Sequence, residues 1–160
     1  MLISLCYQPM DKTITLIILK ASNLPRINTT RLISKKLKSI KVIFVFFFFE
    51  ILFLDPYFKI YMFYKGQRIL KKRSTIKRTT QCPVYNECFT FSIPDNDLEH
   101  VYFDIILFDY DRHMKHEPVG TIRIGQNSND NLQHWNDVCC RQITKQIAQW
   151  YQLKVFNQFD

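Results

Sequence analysis

Glycine is scarce in this chain, and its cysteines follow no cross-linking pattern. Only three of the 160 residues are glycine, where roughly 7% is usual and a β-rich chain needs glycine at its turns. The five cysteines are odd in number and include no C-x-x-C pair. These absences argue against a disulfide framework and a zinc knuckle and favour reduced thiols.

No apolar run is long enough to cross a bilayer comfortably. The longest, Val42–Leu54, has the sequence VIFVFFFFEILFL and is interrupted by Glu50, whereas a spanning helix needs about 20 apolar residues. Met1 leads directly into an alternating apolar segment, without the basic region of a secretory signal. We therefore expect no transmembrane segment in this chain.

The composition that remains is that of a basic, folded chain. Apolar residues make up 47% and aromatic residues 15% of it, with a formal net charge of +8. Such a balance favours anionic partners, namely phospholipid headgroups, acidic proteins or nucleic acid. The plainer alternative is a soluble domain that happens to be basic.

Short strands separated by turns are the strongest periodic signal. The pattern predicts eight strands, at Leu2–Tyr7, Thr13–Lys20, Tyr57–Tyr64, Ile69–Lys77, Glu87–Ile93, Val101–Phe108, Val119–Ile124 and Gln149–Lys154. Helical signal is limited to Asp130–Val138 and a single turn at Asp97–His100. Many short strands with few helices predict an all-β sandwich or barrel.

Carboxylates cluster where predicted strands end. Asp109 and Asp111 follow the strand FDIILF, Glu117 comes shortly after them, and Asp55 directly precedes another strand. If these strand ends are neighbours, four carboxylates converge, and a cation must neutralise them. Oxygen ligands on loops suit calcium better than magnesium, which requires a tighter octahedron. The alternative is that these residues cap turns and aid solubility.

A dense cationic stretch, LKKRSTIKR, covers residues 70–78. Because alternate residues of a strand share a face, the outward basic face is predicted to contain Lys71, Arg73, Thr75 and Lys77. Leu70 and Ile76 are predicted to pack on the opposite face. Such a face would attract anionic lipid, at roughly 1 kcal/mol per charge, or it is a solvated edge strand protected by lysines. Nucleic acid is not expected, because no stacking aromatic residues interleave with the basic ones.

The histidines give no indication of catalysis. They form no nucleophile–base pattern and have no useful metal-ligand spacing. We expect all four at the surface: His100, His113, His116 and His134. The chain is therefore not expected to be an enzyme.

Taken together, these segments closely resemble the second C2 domain of synaptotagmins. The resemblance rests, in chain order, on SLCYQP, TITLIILKASNLP, DPYFKIYMFYKGQRILKKRSTIKRT, PVYNECFTFSIP, FDYDR, HWNDV and IAQWYQL. It covers nearly the whole chain except Arg31–Leu54. It implies a single C2 domain over residues 1–160, an eight-stranded antiparallel Greek-key β-sandwich with one or two short helices and calcium-binding loops at one end.

The resemblance also implies two sets of site residues. The family's calcium ligands fall on Asn28, Asp55, Asp109, Asp111 and Glu117. Because Asn28 is neutral where the family has an acidic residue, weakened Ca²⁺ binding is expected. The family's polybasic strand, which contacts phosphoinositides, falls on Lys71, Lys72, Arg73, Lys77 and Arg78.

Two functions follow from the resemblance. The first is a calcium-regulated module that binds anionic phospholipid membranes in vesicle trafficking and exocytosis. The second is a calcium-independent adaptor that holds phosphoinositides or syntaxin-like SNARE proteins with its basic strand. Either function implies a peripheral position on the cytoplasmic face of a vesicle or the plasma membrane.

The segment at residues 35–54 does not belong to the family pattern. Its lysine-rich start and phenylalanine-rich end resemble a translated AT-rich intron with a pyrimidine tract. Removing it joins INTTRLIS to DPYFKIY and restores the family's spacing. We interpret it as a retained intron or a gene-model error; the alternative is a genuine hydrophobic loop that inserts into bilayers.

The intron hypothesis makes a direct prediction. Spliced transcripts sequenced across this point should lack the codons for Lys35–Leu54, because the family pattern is continuous without them. Uniform retention of these codons in mature transcripts would contradict the hypothesis and favour the hydrophobic loop.

Overall fold

Alternating apolar and polar residues build two sheets, which the computed structural model describes over residues 1–25, 54–110, 116–126, 128, 132–139 and 145–156. Nine strands lie in these residues: β1 (Leu2–Gln8), β2 (Thr13–Lys20), β3 (Pro56–Tyr64), β4 (Gln67–Arg73), β5 (Val84–Ser92), β6 (Val101–Asp109), β7 (Glu117–Gly125), β8 (Ile147–Trp150) and β9 (Lys154–Val155). One short helix, α1 (Leu132–Cys139), and a 3₁₀ turn at Pro94–Asn96 accompany them.

The strands form one four-stranded and one five-stranded sheet. Their orders are β5-β2-β1-β8 and β4-β3-β6-β7-β9, and every described pairing is antiparallel. The pairings of β2 with β5 and of β3 with β6 join strands that are not consecutive, as in a Greek key. The predicted all-β sandwich is therefore confirmed. The segment at residues 35–54 lies outside the described residues, apart from Leu54.

The core is formed by the inward faces of the central strands. Ile3 and Leu5 of β1 and Phe58, Ile60 and Met62 of β3 have no exposed fraction. Along β3 they alternate with the partly exposed Lys59 and Tyr61, as the period of two requires. Full burial of such a side chain stabilises the fold by roughly 1.5–3 kcal/mol. Helix α1 adds buried Trp135, whose ring centroid lies 6.2 Å from that of Phe103.

The end of the described chain differs from the prediction of one strand at Gln149–Lys154. β8 pairs with β1, whereas β9 pairs with β7 in the other sheet. The chain changes sheets at Tyr151, which is buried and whose main-chain N–H donates to the carbonyl of Met1 at 2.7 Å. The strand is therefore divided because this residue anchors the crossing.

Both predicted helical segments have counterparts in the described residues. The helix predicted at Asp130–Val138 is described as α1, which begins at Leu132. The turn predicted at Asp97–His100 is preceded by the 3₁₀ turn at Pro94–Asn96.

The expectation that His134 lies at the surface is wrong, because only 1% of it is exposed. Its Nε2–H donates to the carbonyl of Ile147 at 3.0 Å, so Nδ1 of the neutral ring accepts from the hydroxyl of Tyr151. Burial lowers the pKa of His134 and raises the pKa of Tyr151. The pair ties α1 to β8 and to the point at which the chain changes sheets.

This buried pair predicts acid sensitivity. Because the folded-state pKa of His134 lies below the unfolded value of about 6.5, its stabilising contribution is present above that pH and is lost as the pH falls below it. As the pH falls below about 6.5, the free energy of unfolding should therefore decrease, with a slope from this group of no more than about 1.4 kcal/mol per pH unit. Urea denaturation should show a shallower pH slope for His134→Gln than for the wild type; equal slopes would contradict the assignment.

Candidate functional site

Three of the predicted metal ligands lie at one end of the sandwich, the carboxylate end, which we define by Asp55, Asp109 and Glu117. Asp109, the last residue of β6, lies opposite Glu117, the first residue of β7. On its other side Asp109 pairs with Pro56, which follows Asp55. Antiparallel pairing therefore brings these residues to neighbouring strand ends. The remaining predicted ligands, Asn28 and Asp111, lie outside the described residues.

Both carboxylate oxygens of Asp55 are bound by protein donors. Oδ2 forms an ion pair with Nη1 of Arg78 at 2.7 Å, and Oδ1 accepts from the main-chain N–H of Thr79 at 2.8 Å. The N–H of Asp55 in turn donates to Oδ1 of Asp109 at 2.9 Å. The ion pair of Asp55 with Arg78 joins a residue of the predicted metal site to a residue of the predicted lipid site. The sequence did not indicate this pairing.

Part of the predicted polybasic strand faces outward on the five-stranded sheet. Lys71 and Arg73 of β4 lie opposite Tyr61 and Lys59 of β3. Nζ of Lys71 lies 5.9 Å from the centroid of the Tyr61 ring, and the guanidinium carbon of Arg73 lies 5.3 Å from that of Tyr57. We define the aromatic–cationic face by Tyr57, Lys59, Tyr61, Arg68, Lys71 and Arg73.

Lys59 is a member of this face that the sequence analysis missed. It lies directly opposite Arg73, and its Nζ is 3.8 Å from the centroid of the Phe108 ring. Burial lowers the pKa of Lys59, and the positive charges of Lys71 and Arg73 lower it further. The alternation in PYFKIY could have revealed it, because residues two apart in a strand share a face.

The aromatic rings beneath these cations correct one premise of the sequence analysis. No aromatic residue interrupts the basic stretch in the sequence, yet β3 supplies rings from the neighbouring strand. The Tyr61 ring lies within reach of two cations, with Arg68 at 5.4 Å and Lys71 at 5.9 Å from its centroid.

Lys72 belongs to the opposite side of β4. Its Nζ donates to the carbonyl of Thr90 in β5 and lies 4.9 Å from the centroid of the Phe91 ring. Since β4 and β5 are edges of different sheets, this lysine bridges the two edges across the side of the sandwich. Leu70 was predicted to pack on this side, but 41% of it is exposed, so that prediction is wrong.

The predicted strand Ile69–Lys77 is longer than β4, so Thr75 and Lys77 do not continue its outward face. Ser74 forms main-chain and side-chain hydrogen bonds to β3. Beyond it, the carboxylate of Glu87 in β5 accepts from the N–H of Thr75 at 2.9 Å and from its hydroxyl. These bonds draw the chain towards the other sheet.

A comparison with family models decides the family. A model described as the C2 domain matches residues 12–153. The chain belongs to the C2 domain family. This C2 domain is 32% identical to synaptotagmin-1 of Homo sapiens over 158 residues, which are 98% of the chain and 32% of that protein. It is 31% identical to synaptotagmin-11 of Mus musculus over 156 residues, which are 96% of the chain and 31% of that protein. The chain thus spans about a third of the length of these relatives.

Solved C2 structures agree with the fold. A C2 domain of RIM from Drosophila superposes with a TM-score of 0.65 at 18% identity, covering 96% of this chain and 95% of that one. A C2 domain of RIM2 gives a TM-score of 0.63 at 19% identity, covering 96% and 94%. At these identities the likeness shows the fold alone.

Calcium is the cofactor that the family resemblance implies for this C2 domain, and the described residues include three of its five implied ligands, Asp55, Asp109 and Glu117. Among the described residues, no group of three or more histidine, cysteine or acidic side chains is arranged to hold a metal ion. Calcium takes six to eight oxygen ligands, but the two carboxylate oxygens of Asp55 already bind Arg78 and Thr79. In the described residues, a guanidinium therefore pairs with the carboxylate that a metal ion would need.

The two sides of β4 predict different roles for neighbouring lysines of this C2 domain. Lys72→Ala should lower the free energy of unfolding by about 1 kcal/mol, because it removes a hydrogen bond between the sheet edges. Lys71→Ala is the matched control: it removes the same charge from the outward side and should change stability by less than about 0.5 kcal/mol. Urea denaturation measures both, and equal losses would contradict a bridging role for Lys72.

Proposed function

We propose that this C2 domain binds anionic phospholipid membranes through the aromatic–cationic face, with phosphoinositide headgroups as preferred ligands. The observation that supports the proposal is the position of Lys59, which lies directly opposite Arg73 and on the same face as Lys71. Like charges directly opposite each other destabilise a sheet. A bound anion would offset this repulsion.

The rings of this face favour a ligand with several phosphates. Tyr57 and Tyr61 lie beneath Arg68, Lys71 and Arg73 at 5.3–5.9 Å, distances at which a ring attracts a cation. The three cations therefore lie side by side over the two tyrosine rings. A headgroup with several phosphates can contact more than one of them, and each contributes roughly 1 kcal/mol near an anionic membrane.

The same face suits a second kind of anionic partner, an acidic syntaxin-like SNARE protein. The resemblance to the second C2 domain of synaptotagmins supports a role in vesicle trafficking and exocytosis for either ligand. The proposed activity is binding rather than catalysis. From the family resemblance, we propose a peripheral position on a vesicle or the plasma membrane. In the described part of the chain, no helix is long and apolar enough to cross a membrane.

Calcium-regulated docking, the first function predicted from the sequence, is the second candidate. It is supported by the convergence of Asp55, Asp109 and Glu117 at adjoining strand ends. The pairing of Asp55 with Arg78 favours calcium-independent binding. The two candidates share the membrane as ligand and differ in whether a chelator abolishes binding.

Removing two cations from the face tests the proposal. The double variant Lys71→Gln/Arg73→Gln should bind vesicles of phosphatidylcholine and phosphatidylinositol bisphosphate about thirtyfold more weakly, because two charges contribute about 2 kcal/mol. Co-sedimentation in a chelator and in calcium measures the change and also separates the two candidates.

The matched control is Lys12→Gln/Lys145→Gln, which lowers the net charge equally at exposed positions outside the face. An equal loss in the control would mean that binding follows net charge alone and would contradict the proposed face.

A further inference from the structure

We infer that Arg78 is the fixed counter-ion of the carboxylate end, so that this end of the sandwich is held in shape by a guanidinium rather than by a divalent cation. This role does not depend on lipid binding. It differs from the role that the family resemblance implies for this position, where a basic residue contacts phosphoinositides.

Arg78 and its neighbour occupy both oxygens of one carboxylate. Nη1 of Arg78 lies 2.7 Å from Oδ2 of Asp55, and the N–H of Thr79 donates to Oδ1 at 2.8 Å. Hydrogen bonds with a charged partner are stronger than those between neutral groups. One guanidinium and one amide thus bind one oxygen each of Asp55.

The main chain carries Arg78 to this position. The segment 74–80 runs beside the start of β3, held by the N–H groups of Ser74, Lys77 and Thr80. These donate to carbonyls of residues 58, 56 and 54 at 2.9, 3.0 and 3.1 Å. Because these bonds fix the backbone on both sides of Arg78, its side chain starts opposite Asp55.

The backbone conformation of Thr79, next to Arg78, supports the assignment of the contact with Asp55 as a structural one. Thr79 has a φ of +46°, a left-handed conformation that is unfavourable for a β-branched residue. Such strain persists only where the surroundings compensate for it. The bond from the N–H of Thr79 to Asp55 provides that compensation.

Asp55, the partner of Arg78, also joins two strand ends of the five-stranded sheet. The N–H of Asp55 donates to Oδ1 of Asp109 at 2.9 Å, and the N–H of Tyr110 donates to the carbonyl of Asp55 at 3.1 Å. The guanidinium carbon of Arg78 lies 5.2 Å from the centroid of the Tyr110 ring. Arg78 therefore contacts the residue just before β3 and the residue just after β6, as a cation bound between them would.

Thermal denaturation of Arg78→Gln tests the inference. In a chelator, Arg78→Gln should lower the melting temperature by about 1 to 4 °C, the shift expected for a partly exposed ion pair in a chain of this size. Lys77→Gln is the matched control, because it removes the same charge one residue away and should leave the temperature closer to that of the wild type. Millimolar calcium chloride should raise the melting temperature of Arg78→Gln more than that of the wild type, since the variant leaves Asp55 without its counter-ion.

The inference is overturned if Lys77→Gln is as destabilising as Arg78→Gln, or if calcium stabilises the wild type as much as the variant. A double-mutant cycle with Asp55→Asn gives an independent measurement. Asn keeps an oxygen for the N–H of Thr79 but has no charge, so Arg78→Gln should have a smaller effect in that background. An undiminished effect would also overturn the inference.

Discussion

The two-residue period of β3 is the constraint on which the rest of the structure depends. Phe58, Ile60 and Met62 are fully buried in the core, so a slip of one residue would exchange them with the polar face. The same alternation sends Lys59 and Tyr61 outward. Because β3 is paired with β4 on one side and with β6 on the other, its register also aligns the outward cations with the rings and sets Asp55 beside the end of β6.

Because of the register of β3, charge is distributed unevenly over the domain. The carboxylate end and the aromatic–cationic face adjoin each other at the start of β3, where Asp55 and Tyr57 are only two residues apart. Arg78 lies at this boundary. It forms an ion pair with the carboxylate of Asp55 and is not a member of the aromatic–cationic face. The net charge of +8 is therefore an average over two surfaces of opposite charge, the carboxylate end and the aromatic–cationic face. The charge of each surface follows from its own residues.

The sequence predicted the elements well and the relations between distant elements less well. The strands around Phe58 and Phe103 could be found because alternation with the core is a local property. Lys59 was missed because one lysine in a mostly apolar strand gives no compositional signal. The pairing of Arg78 with Asp55 depends on where the chain leaves β4. That point is set by hydrogen bonds of Ser74 and Thr75 with other strands, which no local pattern contains.

The bridge between Lys72 and Thr90 has a consequence for how many copies of the domain can share a surface. A protein that collects on a membrane reaches high local concentrations, at which unpaired strands of adjacent molecules can join into larger sheets. Lys72 occupies a carbonyl of β5 and places a charged side chain across the gap between the two exposed strands. If copies of the domain collect on a membrane as proposed, this charge disfavours the pairing of β4 or β5 with a strand of a neighbouring copy.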